Sequence, residues 1–398
     1  MSGPRPPAFD TLSLYAGSAP DPGSGARATP IHFSSSFAVS NPTNAVLEER
    51  IAALEGGAAG IATASGQAAL HLGLTTLVGA GDHIVASRAL HGDSYKLLAH
   101  TLRRFGVQTT FVDPRDHDAW RDAIEPSTRL LFGATLGSPG LDVLDIPAIA
   151  DLAHAHDLPL MVDATFTTPY LQRPFDLGAD LLFHSAGEFL CGHGTAIGGL
   201  LVDGGTFDWQ AAHERSGRFA ILCEPCEGLD DMVFSEESTV GAFALRARRE
   251  GLPGFGAGMS PHSALAILQG IETLGLRMER HVANTRRVAE FLAAQPMVAS
   301  VSYPGLDSHP DHALAQRLLP KGCGAVFTFE LKGDGAAARR FADGLQVFSQ
   351  LANVGDARSR LNHPASPEGL LRLSIGLEDP DDLIDDLKRG LKLAQKGA

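Results

Sequence analysis

Four short stretches of this chain set polar or charged side chains beside turn residues, the combination from which reactive sites are built. Ser65-Gly66-Gln67 opens a helix after a small-residue strand. Backbone amides left free at a helix N-terminus, assisted by the helix dipole, hold a phosphate; the bland alternative is a plain strand–helix turn. Asp163 closes the apolar run Met161-Val162 and is succeeded by Ala164-Thr165. It serves either as an N-cap for the next element or as a buried acid that pairs with a ring nitrogen. His184-Ser185-Ala186-Gly187-Glu188 leaves a second apolar run and continues to Cys191 and His193. Arg372, ahead of Leu373-Ser374-Ile375, has the guanidinium fork that grips a carboxylate bidentately. Cys223-Glu224-Pro225-Cys226 is a lone Cys-x-x-Cys, and without a second pair a loop coincidence outweighs a zinc or redox site.

Regular elements must bring these stretches together. Short apolar runs predict strands over 60–64, 82–86, 108–112, 128–134, 159–163, 181–184 and 196–202, and helical periodicity fits 46–54, 95–105, 116–124 and 146–156. Such alternation predicts a mainly parallel sheet with helices on both faces and a ligand at the C-terminal ends of its strands. Residues 1–40 read as an irregular arm, 41–255 as a large cofactor-type domain, and 256–398 as a linking helix plus a small C-terminal α/β domain. In that last part, 261–292 reads as one long helical stretch and strands are expected over 300–303, 325–331, 346–351 and 371–375. Asp379 is placed to cap a final helix that starts at Pro380.

Bulk properties narrow the function classes. At 398 residues the chain exceeds a single hydrophobic core. A net charge of −14 argues against nucleic acid or an anionic membrane as partner. No apolar stretch approaches the roughly 20 residues of a membrane span, and the Pro- and Gly-rich start carries no signal-peptide run. Four cysteines suit a reducing compartment. The expectation is a cytoplasmic protein whose partners are small molecules and other subunits.

In this order, the stretches resemble the Cys/Met-metabolism (transsulfuration) family of pyridoxal-phosphate enzymes, O-acetylhomoserine sulfhydrylases above all. The likeness is carried by Leu54-Glu55-Gly56-Gly57, Ser65-Gly66, Val162-Asp163, Gly192-His193-Gly194, Val202-Asp203-Gly204-Gly205, Pro304-Gly305-Leu306, Leu351-Ala352-Asn353-Val354-Gly355-Asp356, His363-Pro364-Ala365-Ser366 and Arg372-Leu373-Ser374. The resemblance implies the aspartate-aminotransferase-like fold (fold type I): a large, mainly parallel seven-strand sheet domain with a smaller C-terminal α/β domain, in a dimer or tetramer. It also implies a cofactor pocket from Ser65, Gly66, Gln67, His91, Asp163, Thr165 and Ser185, with Arg372 on a substrate carboxylate. No metal is expected: His184, Glu188, Cys191 and His193 crowd together, but the Gly-His-Gly turn also occurs in relatives that bind none.

The sequence departs from that family where it matters most. Relatives carry Ser-Ala-Thr-Lys after the strand, and the lysine forms the Schiff base with the cofactor; here the run is Ser185-Ala186-Gly187-Glu188. A carboxylate cannot form an imine. Of the six lysines (Lys96, Lys321, Lys332, Lys388, Lys392, Lys396) only Lys96 falls in the large domain, inside a helix. The ring-stacking tyrosine of relatives is replaced in Leu90-His91-Gly92-Asp93. A segment of roughly twenty residues that brings a Tyr and an Arg to the neighbouring subunit's phosphate is missing between Ser40 and Asn41, and a second shortening comes after Ser366. If charge-assisted bonds are worth about 1.5–3 kcal/mol each, phosphate affinity falls by several kcal/mol. No covalently bound cofactor is expected; pyridoxal phosphate or an adduct of it remains compatible with non-covalent binding. Three functions stay open: lysine-independent chemistry on an amino-acid-like or sulfur-containing molecule with Glu188, His91 and Asp163 as acid/base groups; a non-catalytic partner of an active relative in a mixed oligomer; and an ordinary sulfhydrylase or lyase.

Overall fold

The computed structural model describes residues 7–20, 23, 28–34, 41–333, 335–362 and 369–395. Seven strands form the large sheet: β1 (Ala59–Thr63), β2 (His83–Ser87), β3 (Gln108–Val112), β4 (Thr128–Ala134), β5 (Leu160–Asp163), β6 (Leu181–Ser185) and β7 (Gly199–Asp203), in the order β1-β7-β6-β5-β4-β2-β3. The pairs among β2 to β6 are parallel, and β7 runs antiparallel to both β1 and β6. Neighbouring residues of one strand face opposite layers. On β4, Leu130 and Phe132 join the core under Leu70 and Leu74 of the Gly66–Thr75 helix, whereas Leu131 joins Ile149 and Ala153 of the Ile146–Ala155 helix. This double burial explains why the strands read as near-continuous apolar runs.

A smaller sheet comes after it in the chain, with β8 (Val298–Ser302), β9 (Val326–Leu331), β10 (Ser349–Gln350), β11 (Arg360–Asn362) and β12 (Leu370–Ser374) in the order β10-β11-β12-β9-β8. Among the described residues only β10 and β11 are parallel there. The Pro380–Gln395 helix packs on it, and Asp379 caps that helix through Asp381 N at 2.9 Å.

The structure corrects several sequence readings. The arm is not wholly irregular: Phe9–Tyr15 is a helix, held by long-range contacts such as the edge-on Phe9–Tyr170 pair, which local sequence does not reveal. The single stretch over 261–292 is two helices, Pro261–Glu272 and Leu274–Ala293, broken at Thr273. At the break, the carbonyl of Gly270 accepts from Arg277 Nη2 at 2.7 Å, a side chain replacing the lost helical donor. The helix expected over 95–105 begins at Gly92 and changes to a π turn at Leu97–Thr101 and a 3-10 turn at Leu102–Phe105. Short helices such as Trp209–Ser216 and Ala242–Arg246 carry no clear period in the sequence and add to the expected elements. The strand over 346–351 shrinks to β10, because the N–H groups of Gln346, Val347 and Phe348 bond the Asp386 carboxylate instead of a strand. Among the described residues, no helix is long and apolar enough to cross a membrane.

Asp386 is fully buried. Burial pushes its pKa up, but the three N–H donors and Arg389 outweigh this and hold it below the usual aspartate value. Replacement by Asn should destabilise the protein by about 1–3 kcal/mol near neutral pH, the worth of hydrogen bonds to a charged group. A depressed pKa contributes stability above the unfolded value of 3.8, lost as pH falls through the folded pKa. Denaturant titrations should therefore show the wild-type advantage shrinking on acidification.

Candidate ligand site

One cavity of about 480 Å³ opens at the C-terminal ends of the large sheet's strands, walled on the far side by Ala352, Asn353 and Val354 from the segment after β10. Its floor forms where strand ends converge. Register places both Thr63 of β1 and Ser185 of β6 opposite Gly199 of β7. A side chain at Gly199 would collide with the Ser65 carbonyl oxygen, and one at Gly66 would collide with the Ser185 hydroxyl. Two glycines thus let the Ser65 turn press directly against the end of β6. Ser65 Oγ caps its own helix by accepting from Ala68 N at 3.1 Å. The first two helical N–H groups, on Gly66 and Gln67, have no partner inside a helix, and both residues line the cavity.

Asp163 sits at the end of β5. Its Oδ1 accepts from Thr165 N at 3.0 Å, and Thr165 Oγ1 in turn accepts from Ser185 N at 3.0 Å, which ties β5 to β6. Burial pushes the Asp163 pKa up; hydrogen bonds from Thr165 and the nearby His184 and His91 oppose the shift. Glu188 lies on the turn after β6. Burial raises its pKa, a bond from the Ser185 side chain opposes this, and the charge of Asp163 raises it further. Its Oε2 is buried without a hydrogen-bond partner.

The turn that carries Glu188 is fixed from three sides. Gly187 leaves no room for a side chain, since a Cβ there would meet the Ala196 carbonyl oxygen at 2.8 Å. Gly355, with φ +77, backs directly onto Cβ of Glu188. Arg277 donates to the carbonyls of Phe189 at 2.8 Å and Leu190 at 3.2 Å, and burial pushes its guanidinium down to about 10. Sequence reasoning missed Arg277 and the wall residue Asn353. The motif around Gly355 held a signal for the latter, and nothing local marks Arg277.

The other expected residues are distributed less compactly. His91 lines the cavity from an exposed position and caps the Gly92–Lys96 helix by accepting from Asp93 N at 3.4 Å. Arg372 is not among the lining residues; its Nη2 donates to the carbonyl of Ala352 at 2.7 Å, one residue behind the wall. His184 turns into the core, where its Nε2 meets Glu55 at 2.6 Å with both side chains fully buried, while His193 Nδ1 bonds the Cys191 carbonyl at 2.9 Å. Among the described residues no lysine lines the cavity; Lys96 is solvent-exposed and pairs with Asp93 at 3.2 Å. Residues 35–40 and 363–368, where the two shortenings and the His363-to-Ser366 run fall, lie outside the described residues.

The arrangement fits a phosphorylated pyridine at two ends. Free N–H groups await an anion, and a buried acid without a bonded cation awaits a ring nitrogen. At the remaining point it offers a carboxyl.

The fold agrees with that reading. A Campylobacter jejuni protein solved as an O-acetylhomoserine (thiol)-lyase, carrying N′-pyridoxyl-lysine-5′-monophosphate, superposes with a TM-score of 0.92 at 32% identity, over 96% of this chain and 99% of that one. The large mixed sheet with its smaller companion is the aspartate-aminotransferase-like fold, type I of the pyridoxal-phosphate proteins. The O-acetyl-L-homoserine sulfhydrylase of Leptospira meyeri is 41% identical, covering 96% of both chains. The homocysteine synthase of Schizosaccharomyces pombe is also 41% identical, over 97% of this chain and 98% of that protein. Residues 10–392 match the Cys/Met metabolism PLP-dependent enzymes, and the chain belongs to that family.

Glu188 loses stability on ionising in this cavity, because burial and the charge of Asp163 both favour its neutral form. Glu188→Gln should therefore raise Tm at neutral pH. A raised pKa gives stability below the unfolded value of 4.5 that is lost as pH rises through the folded pKa. The gain from Glu188→Gln should disappear on acidification toward that value in melts across a pH series.

Proposed function

We propose that this protein binds pyridoxal phosphate, or an adduct of it with an amino-acid-like or sulfur-containing small molecule, without a lysine anchor, and that Glu188 moves protons on the bound molecule with help from Asp163 and His91. The observation that carries the reading is the unpaired Glu188 Oε2 in the cavity that Asp163 and the Ser65 turn also line. In the family resemblance, Glu188 holds the place of the Schiff-base lysine.

The N–H groups of Gly66 and Gln67 would receive the phosphate, and Asp163 the ring nitrogen. When bound, the cofactor supplies an electron sink for charge on an amino-acid carbon. Glu188 is suited to a different task. A carboxyl whose pKa burial has raised exchanges protons near neutral pH more readily than an exposed one. Ser185 orients it, and the Arg277-held turn keeps it from swinging into solvent. His91, at the rim, is placed to pass protons between the cavity and water. The relatives' names suggest substrates of the O-acetylhomoserine type, but the proton chemistry proposed for this chain differs from theirs by lacking an amine.

Treatment with pyridoxal phosphate and then borohydride tests the reading. Peptide mass spectrometry should find no pyridoxyl group on a lysine at stoichiometric level, and the protein should not convert O-acetylhomoserine with sulfide at the rate of an active relative. A stoichiometric adduct on Lys96, the lysine paired with the rim residue Asp93, would overturn the proposal in favour of an ordinary sulfhydrylase. If Glu188→Gln retains full function in the producing organism, Glu188 has no catalytic use and the partner-subunit reading replaces this one.

A further inference from the structure

We infer that the site selects the amine form of its ligand, a compound of the pyridoxamine 5′-phosphate type, over the corresponding aldehyde or alcohol. The inference rests on the proposed non-covalent binding and specifies which ligand that binding favours.

Charge sets the preference. Three carboxylates line the cavity: Asp93 at the exposed rim, paired with Lys96, and Asp163 and Glu188 deeper in. Among the described residues no arginine or lysine lines it, and neither Asp163 nor Glu188 forms an ion pair. His91, the one histidine of the lining among the described residues, is exposed. Asp163 is already partnered by Thr165 N, so a ring N–H would complete it. Glu188 Oε2 has no donor at all. An aldehyde offers only an acceptor and leaves that oxygen unpaired, so Glu188 would have to keep a proton to donate. An alcohol offers one neutral donor. An ammonium offers a charge and three donors, and its bonds to a carboxylate are the strong, charge-assisted kind. Two cationic positions on one ligand thus answer the two inner carboxyls of the cavity, Asp163 and Glu188.

Geometry keeps Glu188 available for this. Its turn cannot retreat, because Gly355 is packed on its Cβ and Arg277 bonds the next two carbonyls. The carboxyl therefore stays inside the cavity whether or not a donor is present. A lysine in this position would instead hold the aldehyde, by forming an imine with it.

Calorimetric titration of the full chain with pyridoxamine, pyridoxal and pyridoxine 5′-phosphates tests the inference. The amine should bind about tenfold or more tightly than the alcohol, the worth of one charge-assisted hydrogen bond. Glu188→Gln should bring amine and alcohol within about twofold of each other. Equal binding of the three compounds by the wild type, or a preference for the amine that survives Glu188→Gln, would overturn the inference while leaving non-covalent binding intact. Failure of all three to bind would overturn both.

Discussion

The cost of keeping two carboxyl groups out of water organises this molecule's site. Asp163 ends β5 and Glu188 lies on the turn after its parallel neighbour β6, so the sheet itself delivers them to one cavity. Nothing basic is bonded to either among the described residues, and burial pushes both pKa values up. The charge of Asp163 adds to the burial that pushes the Glu188 pKa up. Evolution tolerates an arrangement of this kind where a ligand or a shared proton offsets the repulsion.

The scaffold around the pair shows how little freedom it has. Glycines at 66 and 199 allow the helix-opening turn to touch the strand end that carries Ser185. Gly187 and Gly355 bracket Glu188, and Arg277 commits a buried guanidinium to main-chain carbonyls of the same turn. Asp386 holds 346–348 by their N–H groups and so steers the segment that ends in the cavity wall. A threonine at 187 would require the Ala196 carbonyl to move. The backbone around the turn is thus fitted to the residues present, and a single substitution at 187 does not leave it unchanged.

Much of the fold is legible in the sequence because doubly buried parallel strands are apolar runs with turn residues at their ends. The strands over 108–112 and 128–134 emerge with their bounds unchanged. What the sequence conceals is decided at long range. The Phe9–Tyr15 helix packs on Tyr170, and the N–H groups of 346–348 are taken by Asp386 from the last helix. The site divides in the same way. Ser65, Gly66, Gln67, His91, Asp163, Thr165, Ser185 and Glu188 all line one cavity, as strand-end residues of a parallel sheet should. Arg372 stands behind the wall because its guanidinium is engaged by the Ala352 carbonyl, a main-chain contact that no motif announces.

Everything proposed for this chain turns on a ligand held without a covalent bond while Glu188 faces it. A crystal structure of the protein grown with pyridoxal or pyridoxamine phosphate probes that arrangement at the atoms concerned. The phosphate should lie on the N–H groups of Gly66 and Gln67, with the ring nitrogen at Asp163 and the Glu188 carboxyl in hydrogen-bond contact with the ligand. No density should join the ligand to a lysine. Continuous density from the ligand to a lysine side chain, or a ligand bound with Glu188 turned away from it, would refute lysine-free binding or the role of Glu188 respectively.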